Sequence, residues 1–210
     1  MTAIDPEYLQ YEYHLSYRGI PHSGHALEDY PMCWTVAVHA DVSDPEDDGE
    51  DLREIGAAVV YLVTDAGLID LYETLGAYDA ELARFGEVFG MDHPELLDEA
   101  GMREDGDLLI VSSLTVAPEF RGRKLGYWIL NAILETIGRH AWLTVLDASP
   151  LEGPDGDAAA DAAGRESLKK YWEGFGFHEV ENGFMIFGDT MAALAADLAE
   201  ARRDESGGYL

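Results

Sequence analysis

The chain has 210 residues, 47% of them apolar and 10% aromatic, enough for one domain with a buried core and too apolar for a disordered chain. Its 42 acids against 13 bases leave a net charge of −29, a field that repels phosphates and anionic lipid and so excludes a general nucleic-acid or membrane-surface binder. The single cysteine, Cys33, excludes an internal disulfide and a thiolate metal site, and neither a signal peptide nor an 18-residue apolar run is present, so the expectation is a cytoplasmic protein.

In chain order, Tyr11–Tyr17 alternates as a strand, and His22 and His25 fall in a following loop. Their spacing is ligand-like, but no third ligand accompanies them, and no metal is expected. Cys33–His39 reads as a second strand, with Cys33 beside Trp34 as a buried residue rather than a nucleophile. Residues 41–54 carry eight acids and one arginine and read as a solvated loop. Ile55–Thr64 is apolar almost throughout, the mark of a central strand.

Leu71, Leu75, Tyr78, Leu82, Phe85 and Phe89 stand three or four apart and predict one amphipathic helix, with a short helix over Pro94–Ala100 behind it. A strand over Leu108–Val116 then runs through Ala117-Pro118 into the basic turn Arg121-Gly-Arg-Lys-Leu-Gly126. Leu125, Ile129, Ile133 and Ile137 continue as a helix to about Arg139. Trp142–Leu146 is another buried strand, 151–164 an acidic loop, and Arg165–Glu173 a helix. A hairpin over Phe175–Val180 and Gly183–Phe187 precedes a last helix from Thr190 to Ala201. The fold class is mixed α/β in a single domain, a largely antiparallel sheet flanked by helices, with 1–30 and 204–210 peripheral.

The junction 114–126 is where chemistry points. Main-chain N–H groups in a helix's first turn lack carbonyl partners and make an anion site. Gly122 and Gly126 let a ligand approach the backbone closely. Bases at a helix start are electrostatically wrong unless an anion visits. Residues 121–124 and 165–170 hold six of the 13 bases, Arg121, Arg123, Lys124, Arg165, Lys169 and Lys170. A kinase-type P-loop and a GxGxxG fingerprint are both absent.

Leu114-Thr-Val-Ala-Pro-Glu-Phe-Arg121-Gly-Arg-Lys-Leu-Gly126 resembles the GNAT superfamily of acyl-CoA-dependent N-acetyltransferases. Their motif is a strand, then Arg or Gln, two residues, Gly, one residue, Gly or Ala, and a helix. Lys124 stands where the first motif glycine would be. Arg165 to Phe177, with Leu168, Tyr171, Trp172, Glu173 and Gly176, resembles their C-terminal pattern N-x-x-A-x-x-x-Y-E-K-x-G-F. The resemblance is best over 108–188.

It implies a sheet splayed between the strand ending at Val116 and the strand 142–146, with acetyl-CoA or another acyl-CoA as cosubstrate in the split. Leu114, Thr115 and Val116 would meet the pantetheine arm. Arg121, Gly122, Arg123, Lys124, Leu125, Gly126 and Tyr127 would hold the pyrophosphate. The Val116 N–H would polarise the acyl carbonyl. Trp172 takes the position of the usual general-acid tyrosine and cannot supply that proton, which leaves Tyr171 beside it as a candidate donor or as a packing residue. Ser112-Ser113 occupies the stretch where relatives carry a base, and Ser113 is a candidate for holding a water there. Other acids near an acceptor would come from the 70–90 insert: Glu73, Asp79 and Glu81.

Three functional classes follow. The leading one is direct acyl transfer to a primary amine of a small molecule or peptide, with the acidic surface suiting a cationic acceptor. The second is an acyl-CoA-binding module without transfer. The third is an acidic interaction protein with a vestigial cleft. A homodimer stays open.

Overall fold

The computed structural model describes residues 4–16, 30–43, 51–99, 106–150 and 158–188. The loop holding His22 and His25 and the helix expected from Thr190 lie outside these residues. The strands are β1 Gln10–Ser16, β2 Pro31–Asp41, β3 Leu52–Val63, β4 Asp107–Val116, β5 Ala141–Asp147, β6 His178–Glu181 and β7 Phe184–Phe187. The helices are α1 Leu71–Tyr78, α2 Ala80–Gly86, α3 Pro94–Glu99, α4 Leu125–Thr136 and α5 Ala158–Glu173. The strands form one sheet in the order β1-β2-β3-β4-β5-β7-β6. Every neighbour is antiparallel except β4 and β5, whose parallel pairing needs the crossover that α4 supplies. The fold is thus mixed α/β, as the element order implied.

Each face of the sheet carries its own core. Leu71, Leu75, Leu82, Phe85 and Phe89 of the insert pack on Leu108, Ile110, Leu143, Val145 and Phe184. On the opposite face Leu125, Ile129 and Ile133 of α4, with Trp172 of α5, pack on Val60, Leu109, Val111 and Leu146. The apolar stripe of the insert therefore covers one face of the sheet.

Two expectations change. The insert is two helices rather than one, because Asp79 is extended (φ −161°) and its carboxylate accepts from the Leu82 N–H at 2.8 Å, capping α2. The continuous apolar period hides this break, since the stripe resumes in phase after it. The helix expected at Arg165 begins at Ala158. The alanine-rich run read as loop joins it, consistent with alanine's high helix propensity.

Candidate functional site

The site begins with a disagreement between neighbouring strands over length. β5 pairs with β4 from Asp107 only to Val111, whereas β4 continues to Val116. On its other side β4 stays paired with β3 as far as Gly56↔Val116. Among the described residues, 112–116 therefore have a partner on one side and a gap on the other. Which main-chain groups face that gap follows from the register. The Ala117 N–H donates to the Ile55 carbonyl at 2.9 Å, so the adjacent pair Gly56/Val116 is of the non-hydrogen-bonded kind. Val116 and, two residues back, Leu114 thus turn their N–H and C=O groups away from β3 and into the gap. The Val116 carbonyl accepts from Arg121 Nε at 2.9 Å, which leaves its N–H toward the cleft.

β5 diverges because it follows β7. It pairs with β7 out to Asp147↔Phe184, and the Ala148 N–H then donates to the Gly183 carbonyl. Asp147, its side chain 9% exposed, is held by Arg84 at 2.6 Å and by the Ser149 hydroxyl at 2.6 Å. β4 contributes a bulge of its own: Val59 pairs with Ser113 and Val60 with Val111, so Ser112 is the extra residue. Strict alternation would put Ser112 and Leu114 on one face. The bulge instead sends Leu114 and Val116 to the α4 side, with Leu109 and Val111. The Ser112 hydroxyl reaches the opposite face, donating to Glu81 of α2 at 2.5 Å.

At the end of β4, Pro118–Phe120 makes one tight turn and the chain then reverses into α4. Gly122 (φ +79°) and Lys124 (φ +58°) both adopt the left-handed conformation. Lys124 is the N-cap residue of α4, and no side chain caps that helix start. Lysine thus holds the backbone shape that the resembling motif assigns to glycine. Its Nζ lies 5.3 Å from the centroid of the Tyr127 ring.

The gap and this helix start open into one cleft of about 540 Å³. Leu114, Thr115, Val116, Arg121, Gly122, Lys124, Leu125 and Gly126 line it, and α5 adds Tyr171 and Trp172. Phe120, Ser149, Pro150, Ser167 and Leu168 complete the lining, and none of them was a candidate site residue in the sequence, Leu168 entering only within the C-terminal pattern. Ser167 and Leu168 could have been candidates, since they sit one helical turn before Tyr171 and Trp172. Arg123 and Tyr127 lie outside the lining. Tyr127 instead packs on Tyr171 and Phe175 and donates its hydroxyl to the Tyr171 carbonyl, tying α4 to α5. Ser113 lies deeper, in a small cavity of about 60 Å³ with Ser112, Asp147 and Val111. That cavity shares Leu114, Ser149, Leu168 and Trp172 as walls with the cleft, so the two adjoin at the split.

Trp172 is 7% exposed, and its ring meets Tyr171, Phe175 and Phe177 edge-on. The Tyr171 hydroxyl lies against the first turn of α4, 2.7 Å from where a β-carbon on Gly126 would stand. Burial is the main cause that raises its pKa, with the Tyr127 phenol adding to it and the N–H groups of Tyr127 and Gly126 opposing. It therefore holds its proton at neutral pH.

The two basic clusters part company. Arg121 and Lys124 border the cleft, but Lys169 pairs with Glu179, Lys170 with Glu166 at 3.1 Å, and Arg165 donates to the Asn182 carbonyl at 3.3 Å. Arg165 and Lys169 thus serve the α5–hairpin contact, and Lys170 pairs within α5. Of the insert's acids, Asp79 is a helix cap and Glu73 is exposed, while Glu81 reaches β4. Cys33 is half-buried, and burial raises its thiol pKa.

No family model and no curated protein matches the chain. Among solved structures it is similar to an apo mutant form of an agmatine N-acetyltransferase, with 15% identity, a TM-score of 0.40, and coverage of 74% of this chain and 73% of that one.

Proposed function

We propose that the protein is an acyl-CoA-dependent N-acyltransferase that moves an acyl group, acetyl in the simplest case, directly to a primary amine. The observation that carries this reading is the gap between β4 and β5, opening beside an uncapped helix start. An extended pantetheine arm takes the place of the missing strand, bonding to the Leu114 and Val116 main chain with Thr115 between them. The first turn of α4 receives the pyrophosphate on its main-chain N–H groups, with Gly122 leaving room and Lys124 adding charge. The thioester carbonyl then lies at the Val116 N–H, which stabilises the oxyanion as the amine attacks. Orientation supplies most of the acceleration, so little is asked of side chains.

Trp172 stands at the position of a proton donor without being one. Tyr171 holds α5 on α4 and keeps its proton. The CoA thiolate is a good enough leaving group to be protonated by water. The indole at that position also favours a second reading, a module that binds acyl-CoA without transferring it. Titration calorimetry with CoA and dephospho-CoA tests the shared part: both should bind, since the helix start holds the pyrophosphate, and no heat at millimolar ligand refutes both readings. Turnover of acetyl-CoA with a panel of primary amines then separates transfer from binding.

A further inference from the structure

α2 lies across the mouth of the split on the face away from α4. Its Glu81 accepts from Ser112 on β4, and its Arg84, three residues on, pairs with Asp147 on β5. Residues three apart share one face of a helix, so one turn of α2 spans the two strands exactly where they separate. Beneath it sits the small cavity lined by Ser112, Ser113 and Asp147, which adjoins the cleft across Leu114 and Trp172. Ser112 follows Leu108 and Ile110 onto this face, and the bulge at Ser112 sends Leu114 to the other.

The charged groups around this mouth are not equivalent. Asp147 is neutralised by Arg84 and also accepts from Ser149. Asp79 is committed to capping α2, and the titratable groups beside it on β2 and β3 are Cys33 and Tyr61. Glu81 is exposed, and its hydrogen-bond partner is the hydroxyl that lines the cavity. It can therefore take a proton from inside through Ser112 and return it to water outside.

We propose that Ser112 and Glu81 form the proton exit for the acceptor amine, with a water between the nitrogen and the Ser112 hydroxyl and Glu81 acting through Ser112. This rests on the transferase reading above. The acceptor enters from the insert face as an ammonium. One N–H proton passes by way of that water to Ser112 Oγ as the hydroxyl proton passes to Glu81, and from there to bulk water. The free amine forms its bond to the carbonyl carbon, the carbon–sulfur bond breaks, and the second nitrogen proton reaches the departing thiolate by way of water. The sum is amide, CoA thiol and one released proton.

The test compares wild type, Glu81→Gln and Ser112→Ala with spermidine and with a lysine peptide, measuring kcat and KM from pH 6 to 10 together with acetyl-CoA affinity. Glutamine keeps a hydrogen bond to Ser112 and removes the basicity. Both variants should lose at least tenfold in kcat at pH 7, with acetyl-CoA affinity within twofold of wild type, and the deficit should shrink as rising pH supplies free amine. A loss equal at all pH values, or none, overturns this role while leaving the transferase reading in place. A wild type that binds acetyl-CoA and acetylates neither amine overturns it too. A wild type that binds no acetyl-CoA removes the transferase reading itself.

Discussion

A methyl group added at Gly126 tests the contact between α4 and α5 that shapes the cleft. Its carbon would stand 2.7 Å from the Tyr171 hydroxyl oxygen and 3.4 Å from two ring carbons. The first distance is a clash and the other two are ordinary packing. Alanine in a helix gains up to about 1 kcal/mol over glycine, whereas forcing an extra carbon into a packed contact costs about 1–3 kcal/mol. Gly126→Ala should therefore lower stability by about 1 kcal/mol. Tyr171→Phe alone should cost about 1 kcal/mol through the lost polar contact. In that background the clash is gone, and the same methyl should stabilise by about 0.5–1 kcal/mol. The coupling, about 2 kcal/mol, corresponds to roughly 4–8 °C in Tm for a chain of this size. Urea unfolding of the four proteins measures it. Additive effects, within about 0.5 kcal/mol, would mean that the hydroxyl does not lie on the first turn of α4.

Arg121→Ala should weaken CoA binding by about 1–3 kcal/mol in calorimetry, because it removes a cation at the pyrophosphate site and the anchor on the Val116 carbonyl. Lys124→Gly should raise stability by up to about 1 kcal/mol in urea unfolding, since it relieves a left-handed lysine, while CoA affinity falls with the lost charge. Stability should also decline as pH rises from about 10 to 12: burial pushes Tyr11 up to about 12 and raises Tyr61 and Tyr171, so the unfolded chain loses phenolic protons that the folded chain keeps. Absorbance titration of the phenols alongside urea midpoints follows that window. Turnover of Tyr171→Phe should stay within a few-fold of wild type, whereas a loss above a hundredfold in steady-state kinetics would make Tyr171 the proton donor.

Much of the cleft was legible because its determinants are local. A strand stopped by Pro118, a turn with Gly122 and a helix opening at Leu125 are set by neighbouring residues, and the lack of intrahelical α-type partners for the first N–H groups of α4 follows from helix geometry alone. The extent of β4, Asp107–Val116, likewise agrees with its apolar run. Where the reading slipped, the deciding contact was distant or a single cap. Asp79 looks like any other acid until its carboxylate is seen on the Leu82 N–H. The bases at 165–170 look like partners of the turn at 121–124 until Lys169 is found on Glu179 of the hairpin.

The sequence by itself determined the order of strands and helices and the basic helix start, because apolar period, proline and glycine placement act over a few residues, while Trp172 and Tyr171 were drawn to the cleft by the family resemblance alone. Only the tertiary structure decided that β4 and β5 part after Val111, that a bulge at Ser112 turns Leu114 and Val116 to the α4 face, and that Glu81 rather than Asp79 or Glu73 meets Ser112. Those outcomes depend on register between strands and on where a helix comes to rest. One extra residue in a strand leaves composition and hydropathy almost unchanged and yet reverses the face of every side chain beyond it.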